Sequence, residues 1–89
     1  MAYTATVRDH GQSSVSTTAE AVAAYTGRSL CHLVNTHAST TIYVGTSGVA
    51  TSDGFPIGPG QSYTWMSKEA IHAVSSTGSA TLAWIDYGF

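Results

Sequence analysis

The run Thr40–Trp65, TTIYVGTSGVATSDGFPIGPGQSYTW, is the most telling part of this chain. It opens on Thr40-Thr41-Ile42-Tyr43-Val44, where β-branched and aromatic residues suit a pleated strand, and stops at Gly45. A loop carrying Gly45, Gly48, Gly54, Pro56, Gly58, Pro59 and Gly60 follows, and then a second β-rich run, Ser62-Tyr63-Thr64-Trp65. Short strands separated by Gly/Pro turns mark an all-β sandwich or barrel. Within the loop, Pro56 cannot donate a ladder hydrogen bond, so Phe55-Pro56-Ile57 reads as an edge or a bulge. Pro59-Gly60 suits a type II turn, with proline setting the first central φ and glycine allowing a positive second one.

The same reading extends outward in both directions. Upstream, Tyr3 to Arg8 alternates, with Tyr3, Ala5 and Val7 on one side, and Asp9-His10-Gly11-Gln12 is expected to break it. Ser13 to Thr18 is a second expected strand at a sheet edge. Ala19 to Tyr25 is ambiguous: its alanines and Glu20 suit a short helical turn capped by Thr18, or an irregular crossover. Ser29 to Asn35 places Leu30, His32 and Val34 on one face and Cys31 and Leu33 on the other; it reads as a central strand buried on both faces. The following Thr40–Val44 strand is expected to pair with it as a hairpin. Downstream, strands are expected over Ser62–Met66, Ala70–Val74 and Ala80–Asp86, with Ala80, Leu82 and Trp84 sharing a face and Tyr87-Gly88-Phe89 left as an aromatic tail. Seven to eight strands with turns every ~8–12 residues fit a single antiparallel β-sandwich over residues 1–89.

Composition narrows the function. Only 9% of the 89 residues are Asp, Glu, Lys or Arg, against ~25% in an average soluble domain. Serine and threonine hydrate the surface instead, with little charge repulsion between molecules. Edge strands commonly carry charge against edge-to-edge pairing. A chain this poor in charge is therefore expected to cover its borders in an assembly. A domain of this size gains little surplus stability from its core, and one cysteine, Cys31, permits no intramolecular disulfide. The bases Arg8, Arg28 and Lys68 are scattered, so no phosphate-binding patch exists and no nucleic acid is expected. No run approaches the ~20 apolar residues that span a bilayer, so no membrane is expected either. The start MAYTATVRDH lacks the basic residues and apolar run of a signal peptide, and a soluble intracellular product is expected.

Site chemistry is sparse. Gly45-Thr46-Ser47-Gly48-Val49 ends on valine where a nucleophile elbow needs glycine, and Gly58-Pro59-Gly60 lacks the lysine and helix start of a phosphate loop. The histidines His10, His32, His37 and His72 form no ligand-spaced pair, although His32 and His37 flank a turn. His32 points away from Cys31 across the strand, which removes that catalytic pair. The acids Asp9, Glu20, Asp53, Glu69 and Asp86 are dispersed. The expectation is no catalytic residue, no metal, no cofactor and no enzymatic activity.

Gly27-Arg28-Ser29-Leu30 leading to Leu33-Val34-Asn35-Thr36, then Thr41-Ile42-Tyr43-Val44-Gly45, then Gly54-Phe55-Pro56-Ile57-Gly58-Pro59-Gly60-Gln61-Ser62, form an ordered series. The series resembles small phage virion proteins, in which an (I/V)-Y-(V/I)-G strand is followed by a G-x-x-(I/L)-x-P-G-x-S loop. The resemblance runs from Gly27 onward and implies a compact, jelly-roll-like sandwich used in capsid decoration or in head and tail fibres. It implies a virion location, the major capsid protein or another virion protein as partner, and a homo-oligomer with a trimer favoured. Tyr3, Tyr25, Tyr87 and Phe89, near ends or connections, are the candidate interface anchors. In the alternative reading, a carbohydrate- or receptor-binding module of a fibre, Trp65 and Trp84 are the candidate sugar-stacking residues.

Overall fold

The computed structural model describes residues 6–23 and 30–88. Among them are eight strands: β1 (Thr6–Val15), β2 (Glu20–Ala23), β3 (Leu30–Asn35), β4 (Ile42–Gly45), β5 (Phe55–Ile57), β6 (Ser62–Trp65), β7 (Ile71–Ser75) and β8 (Ala80–Gly88). They form two four-stranded antiparallel sheets, ordered β1-β8-β3-β6 and β2-β7-β4-β5. The pairs β1·β8, β2·β7, β3·β6 and β4·β5 nest one inside the next, as in one long hairpin doubled back at the β4–β5 connection. Rolling that ribbon over itself adds β3·β8 and β4·β7 and splits it into two layers. The result is a β-sandwich of jelly-roll topology.

Alternation along each strand builds the core. In β3 the inward Cys31, Leu33 and Asn35 are buried, while Leu30, His32 and Val34 are half-buried on the outer face. In β4 the inward pair is Ile42 and Val44, and in β8 Ala80 and Leu82 point inward with them. Ile57 and Ile71 complete the centre, and Trp65 and Trp84 pack against it. Pro56 sits on the edge strand β5, where its missing donor costs no ladder bond. Gly60 has φ +74° and Gln61 N–H donates to Gly58 O at 3.0 Å, the geometry a type II turn requires.

Several expectations from sequence are corrected. Asp9-His10-Gly11-Gln12 does not break the first strand; β1 runs through it with only a register shift between Val7 and Asp9. Gly11 is there because the Trp84 ring lies over it: a Cβ would stand 2.9 Å from Trp84 Cζ2. Glu20–Ala23 is a strand and not a helical turn, because ladder pairing to β7 satisfies its backbone. Thr18 caps no helix; its N–H donates to Ser16 Oγ at 3.1 Å. β3 and β4 are not a hairpin but belong to opposite sheets. Segment 36–41 arches between the layers. Asn35 holds that arch: its Nδ2 donates to Thr40 O (2.7 Å) and Ile57 O (2.9 Å), and its Oδ1 accepts from His37 N–H (2.9 Å). β3 is central, yet it is buried on one face only. Tyr87 and Gly88 are part of β8, not a tail. The expected turn at Thr26-Gly27-Arg28 lies outside the described residues.

Candidate interaction surfaces

The two long sides of the sandwich are closed differently. On the β1/β2 side, Trp84 Nε1–H donates to Ser13 Oγ at 3.2 Å, and the Ser13 hydroxyl donates to Val22 O at 2.9 Å. This relay ties the edge of one sheet to the edge of the other. It also uses the polar edge of the indole, which Gly11 lets lie flat across β1. On the β5/β6 side the closure is aromatic. Phe55 pairs in register with Val44 and Tyr63 with Leu33, so both rings point inward at the margins of their sheets. The rings meet with centroids 4.4 Å apart and planes tilted by 42°. They stay wet on their outer side: Phe55 is 51% exposed and Tyr63 37%, and Met66, just past the end of β6, is 79% exposed.

A second surface is the outer face of the β1-β8-β3-β6 sheet. Antiparallel partners project to the same side, so the register assigns its rows. One row is His10–Ile85–His32–Thr64, the next Gln12–Ala83–Val34–Ser62, and Val7, Tyr87 and Leu30 continue beyond Ile85. None of these positions is Asp, Glu, Lys or Arg. His32 Nδ1 lies 3.1 Å from Thr64 Oγ1, which fixes the ring across the β3–β6 pair. A shallow depression of ≈ 200 Å³ is lined by His32, Val34, Ala83, Trp84 and Ile85. The opposite sheet is covered in part by its own loop: Val49 is buried where a side chain on Gly45 would stand, at 2.9 Å.

The sequence-derived candidates fall as follows. Tyr3, Tyr25 and Phe89 lie outside the described residues. Tyr87 is half-buried on the outer face of β8, beside Leu30 and Val7. Trp65 and Trp84 point inward and pack on the core; Trp65 Nε1 is shielded without a hydrogen-bond partner. Both indoles remain partly exposed. Among the described residues the exposed aromatics are Phe55 and Tyr63, neither of them a site candidate from sequence; the edge position of Phe55, signalled by Pro56, is the clue that was available.

The histidines are dispersed among the described residues. His10 and His32 lie on one outer face and His72 on the opposite sheet. His37 sits in the arch, its Nδ1 accepting from Ser39 and Thr40 N–H at 3.1 and 3.0 Å. No group of three or more His, Cys, Asp or Glu side chains is placed to hold a metal ion among the described residues. Gly45, Thr46, Ser47, Gly48, Val49 and Asp53 line a polar hollow of ≈ 250 Å³, but Asp53 Oδ1 is engaged by Ala50 N–H at 2.8 Å and serves to close that loop. No helix among the described residues is long and apolar enough to cross a membrane. No protein-family model, no curated protein and no solved structure matches the chain.

Proposed function

We propose that the chain is a structural protein of a phage virion, a capsid decoration or cement protein that stabilises the head through protein–protein contacts and works as a homo-oligomer. The observation that carries this reading is the wet aromatic rim, Phe55 against Tyr63 with Met66 beyond, mounted on a closed two-layer scaffold. Large exposed apolar side chains on a rigid support are the anchors that protein interfaces use. The low charge of the chain, 9% of residues, keeps such a contact inexpensive to desolvate. The sequence resemblance to small phage virion proteins supports the same reading, and jelly rolls are a common architecture of capsid domains. That last point is analogy at the level of fold.

Mass spectrometry of purified virions, with a reconstruction locating the added density, tests the proposal. The protein is expected in the particle at a stoichiometric count. Phe55→Ala with Tyr63→Ala should lower the bound count, compared at a temperature where circular dichroism shows the variant folded, because the same rings close the β5/β6 side. Absence of the protein from purified virions would sink the reading. The exposed ring pair also favours a second reading, a glycan-binding fibre module in which Phe55 and Tyr63 stack on sugar. Titration with glycans, followed by aromatic fluorescence and quencher access, separates it: a saturable change abolished by Tyr63→Ala would select this alternative.

A further inference from the structure

The geometry points to a second copy of this chain as the occupant of the outer face of the β1-β8-β3-β6 sheet, packed face to face about a two-fold axis near Ala83 and Ile85. This deepens the oligomeric part of the proposed function, naming the surface and the symmetry, and it replaces the trimer favoured from sequence with a pair.

Three observations carry it. First, the relief is self-complementary. The depression is lined by His32, Val34, Ala83, Trp84 and Ile85, so a small residue, Ala83, and a larger one, Ile85, border it two positions apart on one strand. A two-fold axis between the two positions seats each copy's Ile85 in the depression of the other. That reciprocity, in which one residue contacts a second and is contacted by its counterpart, defines an isologous interface. Second, a two-fold axis brings like charges of the two copies together. The paired rows of this face contain no Asp, Glu, Lys or Arg, and Arg8, exposed in the β1 bulge between Val7 and Asp9, lies outside them, so like charges do not meet at the centre of the contact. Third, the area is adequate. Four strands spaced ~4.8 Å apart and the ~20 Å from Thr81 to Tyr87 outline a flat footprint of roughly 400 Å². Side-chain relief enlarges the accessible area, so two copies hide on the order of 1,000 Å², the lower bound for a specific interface.

Light scattering on the size-exclusion peak at about 50–100 µM, well above the range in which standard interfaces form, reads the proposal directly. Wild type should elute at twice the 9.2 kDa chain mass. Ile85→Arg and Ala83→Arg should each elute at the single-chain mass with an unchanged β-sheet circular dichroism spectrum, while Phe55→Arg stays paired. Should the arginine variants misfold, cross-linking with a short bismaleimide keeps the test open, because sheets packed face to face stand ~10 Å apart, beyond the reach of a disulfide. The Ala83→Cys/Ile85→Cys double variant, with the fully buried Cys31 left in place, should give a covalent pair, and Ser47→Cys on the β4–β5 loop should not. Wild type at the single-chain mass or at three copies overturns the proposal. So does a pair that survives Ile85→Arg but not Phe55→Arg, or the absence of a cross-link. None of these results bears on whether the protein is found in virions, so the two proposals fail separately.

Discussion

Asn35 is fully buried, and its side chain joins four parts of the fold: the end of β3, the arch to β4, the end of β5 and the start of the arch at His37. The backbone adds to the knot, with Asn35 N–H donating to Gln61 O and Gly60 N–H donating to Asn35 O, at 3.0 and 2.9 Å. Asn35→Ala removes three side-chain hydrogen bonds and strands the carbonyls of Thr40 and Ile57 in a buried site. Each abandoned polar group costs ~1–3 kcal/mol, so the loss should be about 3–6 kcal/mol after allowing for some water entry at the half-buried His37. A domain of 89 residues has roughly 4–13 kcal/mol to lose, so the variant should sit near the limit of folding. The expected fall in melting temperature is at least ~12 °C, at ~4–8 °C per kcal/mol. Asn35→Asp discriminates packing from hydrogen bonding, because it keeps the volume and the acceptor for His37 N–H but turns an oxygen toward two carbonyls. The new carboxyl would be neutral more readily when folded than when unfolded, since burial and the two carbonyls oppose its charge. Its folded pKa is therefore raised, and the deficit against wild type grows as pH rises through the unfolded value of ~3.9 and narrows below it. Urea melts followed by the fluorescence of Trp65 and Trp84, at one fixed protein concentration so that assembly does not shift the midpoint, provide the measurement. A loss under about 1 kcal/mol in Asn35→Ala, or an Asn35→Asp melt that matches wild type at neutral pH, would refute the reasoning.

Other substitutions test the closures of the sandwich. Gly11→Ala should destabilise by about 1–3 kcal/mol despite alanine's better strand propensity, because the new methyl meets the rigid Trp84 ring at 2.9 Å; a thermal melt at or above wild type would contradict that contact. Trp84→Phe should cost about 1 kcal/mol more than Trp65→Phe, since the first breaks the relay to Ser13 and Val22 while the second removes a buried donor with no partner; equal costs in chemical denaturation would deny the relay any role. Gly54→Ala should be poorly tolerated, because its methyl would stand 2.7 Å from Tyr43 Cβ and 2.8 Å from Val49 Cγ2; limited proteolysis of the 46–54 loop should accelerate in that variant, and an unchanged cleavage rate would argue against the loop being packed down.

Much of the architecture was legible because its cues are local. Alternation assigned the faces of β3 and β8, Pro56 marked an edge, and Pro59-Gly60 marked its turn. The failures share a cause: the deciding contact lies far away in sequence. Asp9-His10-Gly11-Gln12 is composed like a turn, and only Trp84, across the β1–β8 pair, explains a glycine in mid-strand. Whether the segment after β3 returns as a hairpin or crosses to the other sheet depends on Asn35 meeting Ile57 and Gln61, which no local window contains. Alanine-rich Glu20–Ala23 has helical propensity, but four residues cannot nucleate a helix against ladder pairing with β7. The candidate surfaces were hidden for the same reason. Phe55 and Tyr63 come together only when the margins of two sheets meet, and the indoles, prominent in the sequence, are committed to the core.

The misreading of β3 differs from the others, because its sequence signal is real. Leu30, Val34 and their neighbours Ala83 and Ile85 have the apolar character of a strand covered on both sides, yet no strand among the described residues lies over them. Leaving Val and Ile side chains half-exposed forgoes part of the ~1.5–3 kcal/mol that full burial of each would contribute. Polar residues fit the same surface well: Ser14 and Thr81 pair at one end of it, and Ser62 and Thr64 occupy its β6 margin. Most apolar positions are therefore gathered over β8 and β3, with Val7 beyond them on β1, and they are bordered by hydroxyls, Gln12 and His10, which is close to the core-and-rim pattern of a protein interface. Strand patterning follows the surroundings of a residue in the working assembly, whereas a single folded copy supplies only part of those surroundings. On that argument, Ser62→Ala and Thr64→Ala at the rim should shift the pairing constant by less than tenfold, whereas Ile85→Ala at the centre should shift it by more, as read by sedimentation across a concentration series; comparable shifts from rim and centre would mean that the apolar cluster is not what holds two copies together.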